Sequence, residues 1–441
     1  MTAENKVWCA IGLIQAEISS FVFQSTDFNF KIIINIMNNK YSAYLFFCIV
    51  LIGILYFFSI SKDPMLGDSL VFNLQMSEGF IFSSNATNHI LYTNFLVLLH
   101  KMMPFIHIHL LSVGVSILSG ILCLFFLQKL LKVFDISDKS ILMCILILGL
   151  SFTFWRVSVI TEVYTFYILF VILFLLNLFK FLKSQKVKYF YYLSVFLGIL
   201  FLIHIQTILF GPLYIYLIIK NYKILKQHII YGGFITFSLT FILIIPVLMG
   251  KHGFTNIFTM EIDKGSIFQT SLPIVLKSFI RNSGFFIYNF LFFSIFIFFG
   301  LKNKTYLNYI LIGIAPFLLF CLKHDVSDSY VFHLIPYVFL IILIGRGLDY
   351  FPKIYFALPI LLPIFYFISF KIVEQTPVGE NFEKEKGFKG GTRYMLFPML
   401  NGNPDLDYFL KQYEKDSLYE KPELKAMHPL VLKWKSIEDN H

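Results

Sequence analysis

The residues best suited to chemistry lie in a polar stretch, Ser61–Pro104, between two apolar runs: SKDPMLGDSLVFNLQMSEGFIFSSNATNHILYTNFLVLLHKMMP. It holds Asp63, Asp68, Glu78 and His89. A carboxylate within hydrogen-bond reach of a hydroxyl can take its proton as a new bond forms. Asp68 is the candidate for that role. An Asp-Ser pair before an apolar run is also an ordinary helix cap, and that reading stands beside it. Asp63 reads as a surface charge.

A second group lies in FWRVSVITEVYTFYILF, which carries Trp155, Arg156, Glu162 and Tyr164. In a continuous helix Trp155, Ser158 and Glu162 share one face. Glu162 has little polar company, and an acid at a membrane segment is costly to bury unless it faces a pocket. The planar fork of arginine suits phosphate, so Arg156 and Arg393 are candidate phosphate contacts, with His204 and His324 as further ones. A single histidine is more often a hydrogen-bonded packing residue, and that weighs against His89 and His204. Residues 389–393, KGGTR, read as a backbone anion nest or as a solvated turn. A divalent metal between Asp68 and another acid is open to the chemistry but no ligand spacing supports it, so the sequence assigns no metal ligands and no cofactor.

The elements that must position these groups are membrane helices. Of 441 residues 57% are hydrophobic and 14% charged, with a mean hydropathy of +0.74. Soluble domains carry about a quarter charged residues. Long apolar runs recur from end to end, which gives an all-α polytopic membrane protein of about eleven helices, at ~20 residues per crossing. Expected spans include Ser42–Ile60, Phe105–Leu127, Ser140–Trp155, Val163–Phe179 and Tyr189–Ile203. Several are short, as around an intramembrane cavity. Leu70–Phe82 and His89–Met103 read as interfacial helices within the first outer loop, residues 61–104.

The net charge of +10 does not point to nucleic acid, because the basic residues cluster in short loops between spans. Lys129, Lys132, Lys139, Lys180, Lys183, Lys186, Lys188, Lys220, Lys223, Lys226, Lys302, Lys304, Arg346 and Lys353 all fall on one side, which is therefore cytoplasmic. The other side receives Asp63, Asp68, Glu78, His89, the Trp155–Glu162 turn, His204, His324, Asp325 and Asp328. Residues 1–41 form a cytoplasmic or interfacial segment, with Met37 as an alternative start. Residues 42–372 form the transmembrane domain. Residues 373–441 turn soluble in composition and make a small extracytoplasmic tail that docks on the membrane domain. Within it Asn403-Pro404 reads as an N-cap followed by Pro at the first helical position.

No Walker motif, GxGxxG, HExxH or GxSxG occurs, so energy for any chemistry must arrive with an activated substrate on the outer side. Activated molecules there are usually lipid-linked. The sequence resembles the GT-C type membrane glycosyltransferases. Within them it is most similar to the multi-pass protein O-mannosyltransferase family that in animals acts on plexin-type receptors, and its bacterial relatives. LGDSLVF, NHILYTNFLVLLHKMMP, FWRVSVITEVYTFYILF and FLIHIQTILFGPLY carry the resemblance, with a weaker match in HDVSDSYVFHLIPY, over roughly Asp63–Gly347. Departures are Val71, where relatives often carry Glu, and SNATNH in place of a Pro-Pro-Gly run.

The resemblance implies a GT-C-like bundle that moves a sugar, in this family mannose, from a polyprenyl-phosphate donor to a protein or glycan acceptor with inversion. Asp68 would be the base. Arg156, His204 and Arg393 would hold the phosphate, and Trp155, Glu162, Tyr164, His89 and Asp328 would line the pocket. Lys- and Ile-rich composition favours a bacterial inner membrane over the ER. Two readings compete: a transporter or flippase for lipid-linked glycans, which predicts midplane coupling sites and internal repeats, and a non-catalytic subunit of a glycan assembly system.

Overall fold

The computed structural model describes residues 40–82, 89–251, 253, 271–323, 329–354, 357–415 and 421–438. The chain divides into two compact units, Met1–Val50 and Leu51–His441. The first contributes the opening turns of helix α1 (Lys40–Phe57). Everything below concerns the second.

Every regular element among the described residues is helical. After α1 come α2 (Asp68–Glu78), α3 (Ile90–Met102), α4 (Ile108–Val133), α5 (Asp138–Gly149), α6 (Phe152–Ser158), α7 (Val163–Ser184) and α8 (Lys188–Ile203). Then follow α9 (Gly211–Lys220), α10 (Ile229–Thr240), α11 (Leu272–Phe290), α12 (Leu307–Lys323), α13 (Leu334–Leu348) and α14 (Leu361–Val373). The tail folds as α15 (Pro377–Lys386), α16 (Gly391–Leu396), α17 (Leu406–Tyr413) and α18 (Pro422–Glu438). Shorter turns join them.

The chain is a multi-pass membrane protein. Among the described residues four stretches are long and apolar enough to cross a bilayer: Ile108–Val133, Val163–Ser184, Leu272–Gly300 and Tyr330–Leu348. Two bent pairs and several shorter apolar helices complete the bundle, so the crossings are not all full-length straight helices. Ile230, Phe234 and Phe298 are between two-thirds and four-fifths exposed. In water such a surface would drive association; against lipid tails it carries no penalty. Inside, α4 packs along α7 and α7 along α8, burying Cys123, Leu124, Leu127, Phe174 and Leu175 completely.

The expected span Ser140–Trp155 is two helices, α5 and α6, bent by 65°. Gly149 and Ser151 sit at the break. The Ser151 hydroxyl and amide both donate to Leu148 O, at 2.7 and 3.1 Å, which closes the helix early as Gly/Ser pairs commonly do. α6 in turn stops at Ser158, where Val159, Ile160 and Thr161 form a β-branched run that resists helix. Glu162 is extended, at the N-cap of α7. The shared face of Trp155, Ser158 and Glu162 therefore does not form.

The loops read from the sequence as one side meet at one end. Lys183 donates to Val133 O and pairs with Asp135 at 2.7 Å. Lys139 reaches Pro352 O. Arg346 donates to Asn303 O and Thr305 O.

The tail packs on the other end. Leu400 N donates to Ser59 O at 2.9 Å, and Tyr288 Oη to Leu396 O at 2.7 Å. The N-cap of α17 is Asp405, which accepts from Tyr408 N at 2.9 Å. Asn403, expected in that place, instead donates its amide to Lys389 O at 2.8 Å.

Candidate active site

Helix α2 begins in a turn that only glycine accepts easily. Gly67 has φ 112° and ψ −143°, and it, not Asp68, occupies the N-cap. Asp68 therefore does not stand at the N-cap position that the sequence reading gave it. Asp68 is the first helical residue and is exposed, at the helix end whose dipole favours a carboxylate. Val71, one turn further on, is exposed too.

What holds α2 is a buried polar junction. Asn73 donates its amide to Thr161 Oγ1 at 3.1 Å and to Ser69 O at 2.7 Å. Ser112 Oγ donates to Asn73 Oδ1 at 2.9 Å and lies 2.8 Å from Thr161 Oγ1. All three side chains are fully buried. The junction ties the first loop to α4 and to the extended turn before α7.

Beside Gly67 opens a cavity of about 320 Å³. The membrane bundle supplies Phe152, Arg156, Phe285 and Tyr330; the tail supplies Lys386, Phe388, Lys389, Tyr394 and Glu423, among others. A side-chain carbon at Gly67 would lie 3.9 Å from Lys389 Nζ. Arg156 is buried. Its guanidinium lies over Phe152 and Tyr394, 5.1 and 4.7 Å from the ring centres. It donates to Tyr394 O at 2.6 Å and to Phe397 O, while its Nε is buried without a partner among the described residues. Aromatic faces and main-chain carbonyls thus fix the cation, leaving part of its donor capacity unused.

The other expected residues divide. His89, His204 and Tyr164 do come together, though away from Arg156. The His89 and His204 rings are 4.9 Å apart, and Tyr164 and Tyr167 lie 5.8 and 5.2 Å from His204. His89 Nδ1 faces Ile203 O at 2.9 Å and so must donate. His204 Nδ1 accepts from Gln206 N at 3.1 Å, which puts the proton of a neutral ring on Nε2. Phe72 on α2 packs against His89 and Tyr92, and none of these residues is in the cavity lining. Glu162 is half-buried, its amide 3.5 Å from Ser116 Oγ.

Trp155 is buried packing: its indole donates to Ser59 Oγ at 3.1 Å. Arg393 donates to Asn401 Oδ1 at 3.1 Å and lies over Phe397, outside the cavity lining. His324, Asp325 and Asp328 lie outside the described residues. Lys386, Lys389 and Glu423 were missed because a polar tail gives no periodic signal pointing at a partner. The KGGTR turn was the one clue. Gly390 and Gly391 have φ 110° and 52°, and the turn does hold an anion, the protein's own: Thr392 N donates to Glu383 Oε1 at 2.8 Å.

A family model described as dolichyl-phosphate-mannose-protein mannosyltransferase matches residues 110–249. That stretch includes Trp155, Arg156, Glu162, Tyr164 and His204, and leaves out Asp68 and the tail. No curated protein matches the chain. The crystal structure of ArnT from Cupriavidus metallidurans bound to undecaprenyl phosphate is similar with a TM-score of 0.56 at 12% identity, over 87% of this chain and 73% of that one. The chain has the GT-C glycosyltransferase fold. ArnT from the same organism in the apo state is similar at TM-score 0.54 and 12% identity, over 89% of this chain and 75% of that one. In this GT-C bundle the first loop and the tail close together over the end that carries Arg156.

Proposed function

We propose that the protein is an inverting glycosyltransferase that moves a sugar from a polyprenyl-phosphate donor to a hydroxyl of a protein or glycan acceptor, on the extracytoplasmic face. The observation that carries this reading is the cavity in which buried Arg156, Lys386 and Lys389 converge beside the Gly67-Asp68 turn. A phosphate leaving group needs cationic donors held in place before the reaction. An acceptor hydroxyl needs a carboxylate within reach.

In the proposed step the acceptor oxygen attacks the sugar's anomeric carbon. The bond from that carbon to the phosphate oxygen breaks, and its electron pair leaves on polyprenyl phosphate, held by Arg156 and Lys389. The acceptor proton passes to Asp68. A single displacement inverts the anomeric centre. The aromatic walls, Phe152, Phe285, Phe388 and Tyr394, offer flat apolar surface to the sugar ring or the first isoprene units. Support for a lipid-linked donor comes from the ArnT structure with undecaprenyl phosphate. Support for mannose comes from the family model. His89, His204 and Tyr164 are proposed to flank the acceptor route, outside the cation-lined cavity.

Membranes carrying the protein, given radiolabelled polyprenyl-phosphate mannose and a panel of other polyprenyl-phosphate sugars, should release labelled product and free polyprenyl phosphate. Asp68→Asn should lower the rate by about 10²- to 10⁴-fold, the usual worth of a general base, without loss of folded protein. Full activity in that variant removes Asp68 from the chemistry.

A further inference from the structure

Asp63 lies five residues before Asp68 and is almost fully buried, although the sequence reads it as a surface charge. The tail buries it. Leu406 N, the first amide of α17, donates to Asp63 Oδ2 at 2.9 Å. Lys435 Nζ on α18 is 3.5 Å from the same oxygen, and the ammonium also pairs with Asp407 at 3.0 Å and Glu438 at 2.9 Å. Next to it Lys62 pairs with Asp405, the cap of α17, at 2.8 Å. Further out Lys433 pairs with Glu78 at the end of α2. One short segment, residues 62–68, thus has the tail fastened to its start and Asp68 at its finish. Between them Pro64, Met65 and Leu66 are buried, and Met65 O accepts from Leu70 N at 3.1 Å. The segment has little freedom to move one end without the other.

We infer that Asp63 is a positioning residue of the active site: by anchoring α17 and α18 it places Lys389, Lys386 and Glu423 against the Asp68 turn. Asp63 itself touches no substrate. The cavity has no outer wall without the tail, since Lys386, Phe388, Lys389, Tyr394, Glu423 and Leu424 all come from it. The cations required near the phosphate are therefore set by a carboxylate at the start of the same loop that carries Asp68. A buried carboxylate that accepts a backbone amide and faces an ammonium is worth most where both partners are fixed, as here.

This inference rests on the proposed transferase reading. The test uses full-length protein in nanodiscs with polyprenyl-phosphate sugar. Asp63→Asn should lower kcat by about tenfold or more and weaken polyprenyl-phosphate binding, with the tail more readily cut by protease. Bridging cysteines placed at Glu78 and Lys433 with a short bis-maleimide, in the Asp63→Asn background, should restore both binding and rate. Rescue by the bridge separates positioning from a general folding defect, which the bridge would not repair. Wild-type kinetics in Asp63→Asn, or loss of activity that the bridge leaves unchanged, overturns the inference. No turnover by the wild-type protein with any donor overturns the transferase reading instead.

Discussion

The two ends of the bundle each hold a cavity of about 320 Å³ built around a buried arginine, and they use it differently. At the basic-loop end Arg346 lies 4.8 Å from the centre of the Phe134 ring and donates to Asn303 O and Thr305 O. The other charges there cancel locally. Lys183 pairs with Asp135, and Asp349 accepts from the amide and hydroxyl of Ser137. At the opposite end Arg156 is held the same way, by rings and carbonyls, yet Lys386 and Lys389 line the same cavity, and among the described lining residues Glu423 is the one acid. Caging an arginine with carbonyls is thus a structural device common to both ends. A surplus of cations around it is confined to one, and that surplus is what a phosphate would complete.

The sharpest way to break this comparison is to remove each arginine. Arg156→Ala and Arg346→Ala should both cost about 1–3 kcal/mol of stability by orphaning buried carbonyls, read as loss of thermal stability in detergent. Only Arg156→Ala should also cut transfer, by roughly 10²- to 10³-fold, as loss of a preorganised donor does. Equal transfer losses in the two variants would erase the distinction. Lys389→Ala is milder: a charge-assisted hydrogen bond is worth about 1.5–3 kcal/mol, so affinity for polyprenyl phosphate should fall about tenfold to a hundredfold, measured by competition with a labelled donor. Stability should stay near wild type, because Lys389 is only half-buried.

The smallest effect concerns pH. The hydrogen bond from Lys62, and then the Tyr408 amide, hold the Asp405 carboxyl below its ordinary value of 3.8. A depressed carboxyl contributes its stability in full above that ordinary value and loses it as pH falls through the lowered one. Protease cutting of the tail should therefore be unchanged from pH 7 to 5 and rise progressively below about pH 4, as the pH falls from the ordinary carboxylate range through the lowered value. High salt should loosen the same exposed pair at neutral pH.

The division of helices and of charged loops was readable because both follow from composition over long windows. That a helix starts near Asp68 and that Arg156 lies at the end away from the basic loops were readable for the same reason, as short patterns on a strong hydropathy background. What escaped was contact at long range. Asp63 looks like any loop acid until a tail three hundred residues later covers it. Glu162 looks helical by spacing, but Val159, Ile160 and Thr161 break the helix first. Lys389 and Glu423 sit in a segment without periodicity, where sequence offers no direction for a side chain. Trp155, singled out as a pocket residue, is spent on Ser59 and Tyr56, a pairing set by where α1 ends.

The buried meeting of Asn73, Ser112 and Thr161 has a consequence for engineering. Long loops between spans are easily treated as exchangeable modules, to be swapped between relatives. Here the loop is plugged into the bundle by an amide that needs two hydroxyls from other parts of the chain, one on α4 and one before α7. A transplanted loop lacking the asparagine would strand both hydroxyls in the interior, and a host lacking them would strand the asparagine. Chimeras should therefore be cut so that positions 73, 112 and 161 travel as a set, even though almost ninety residues separate the first from the last.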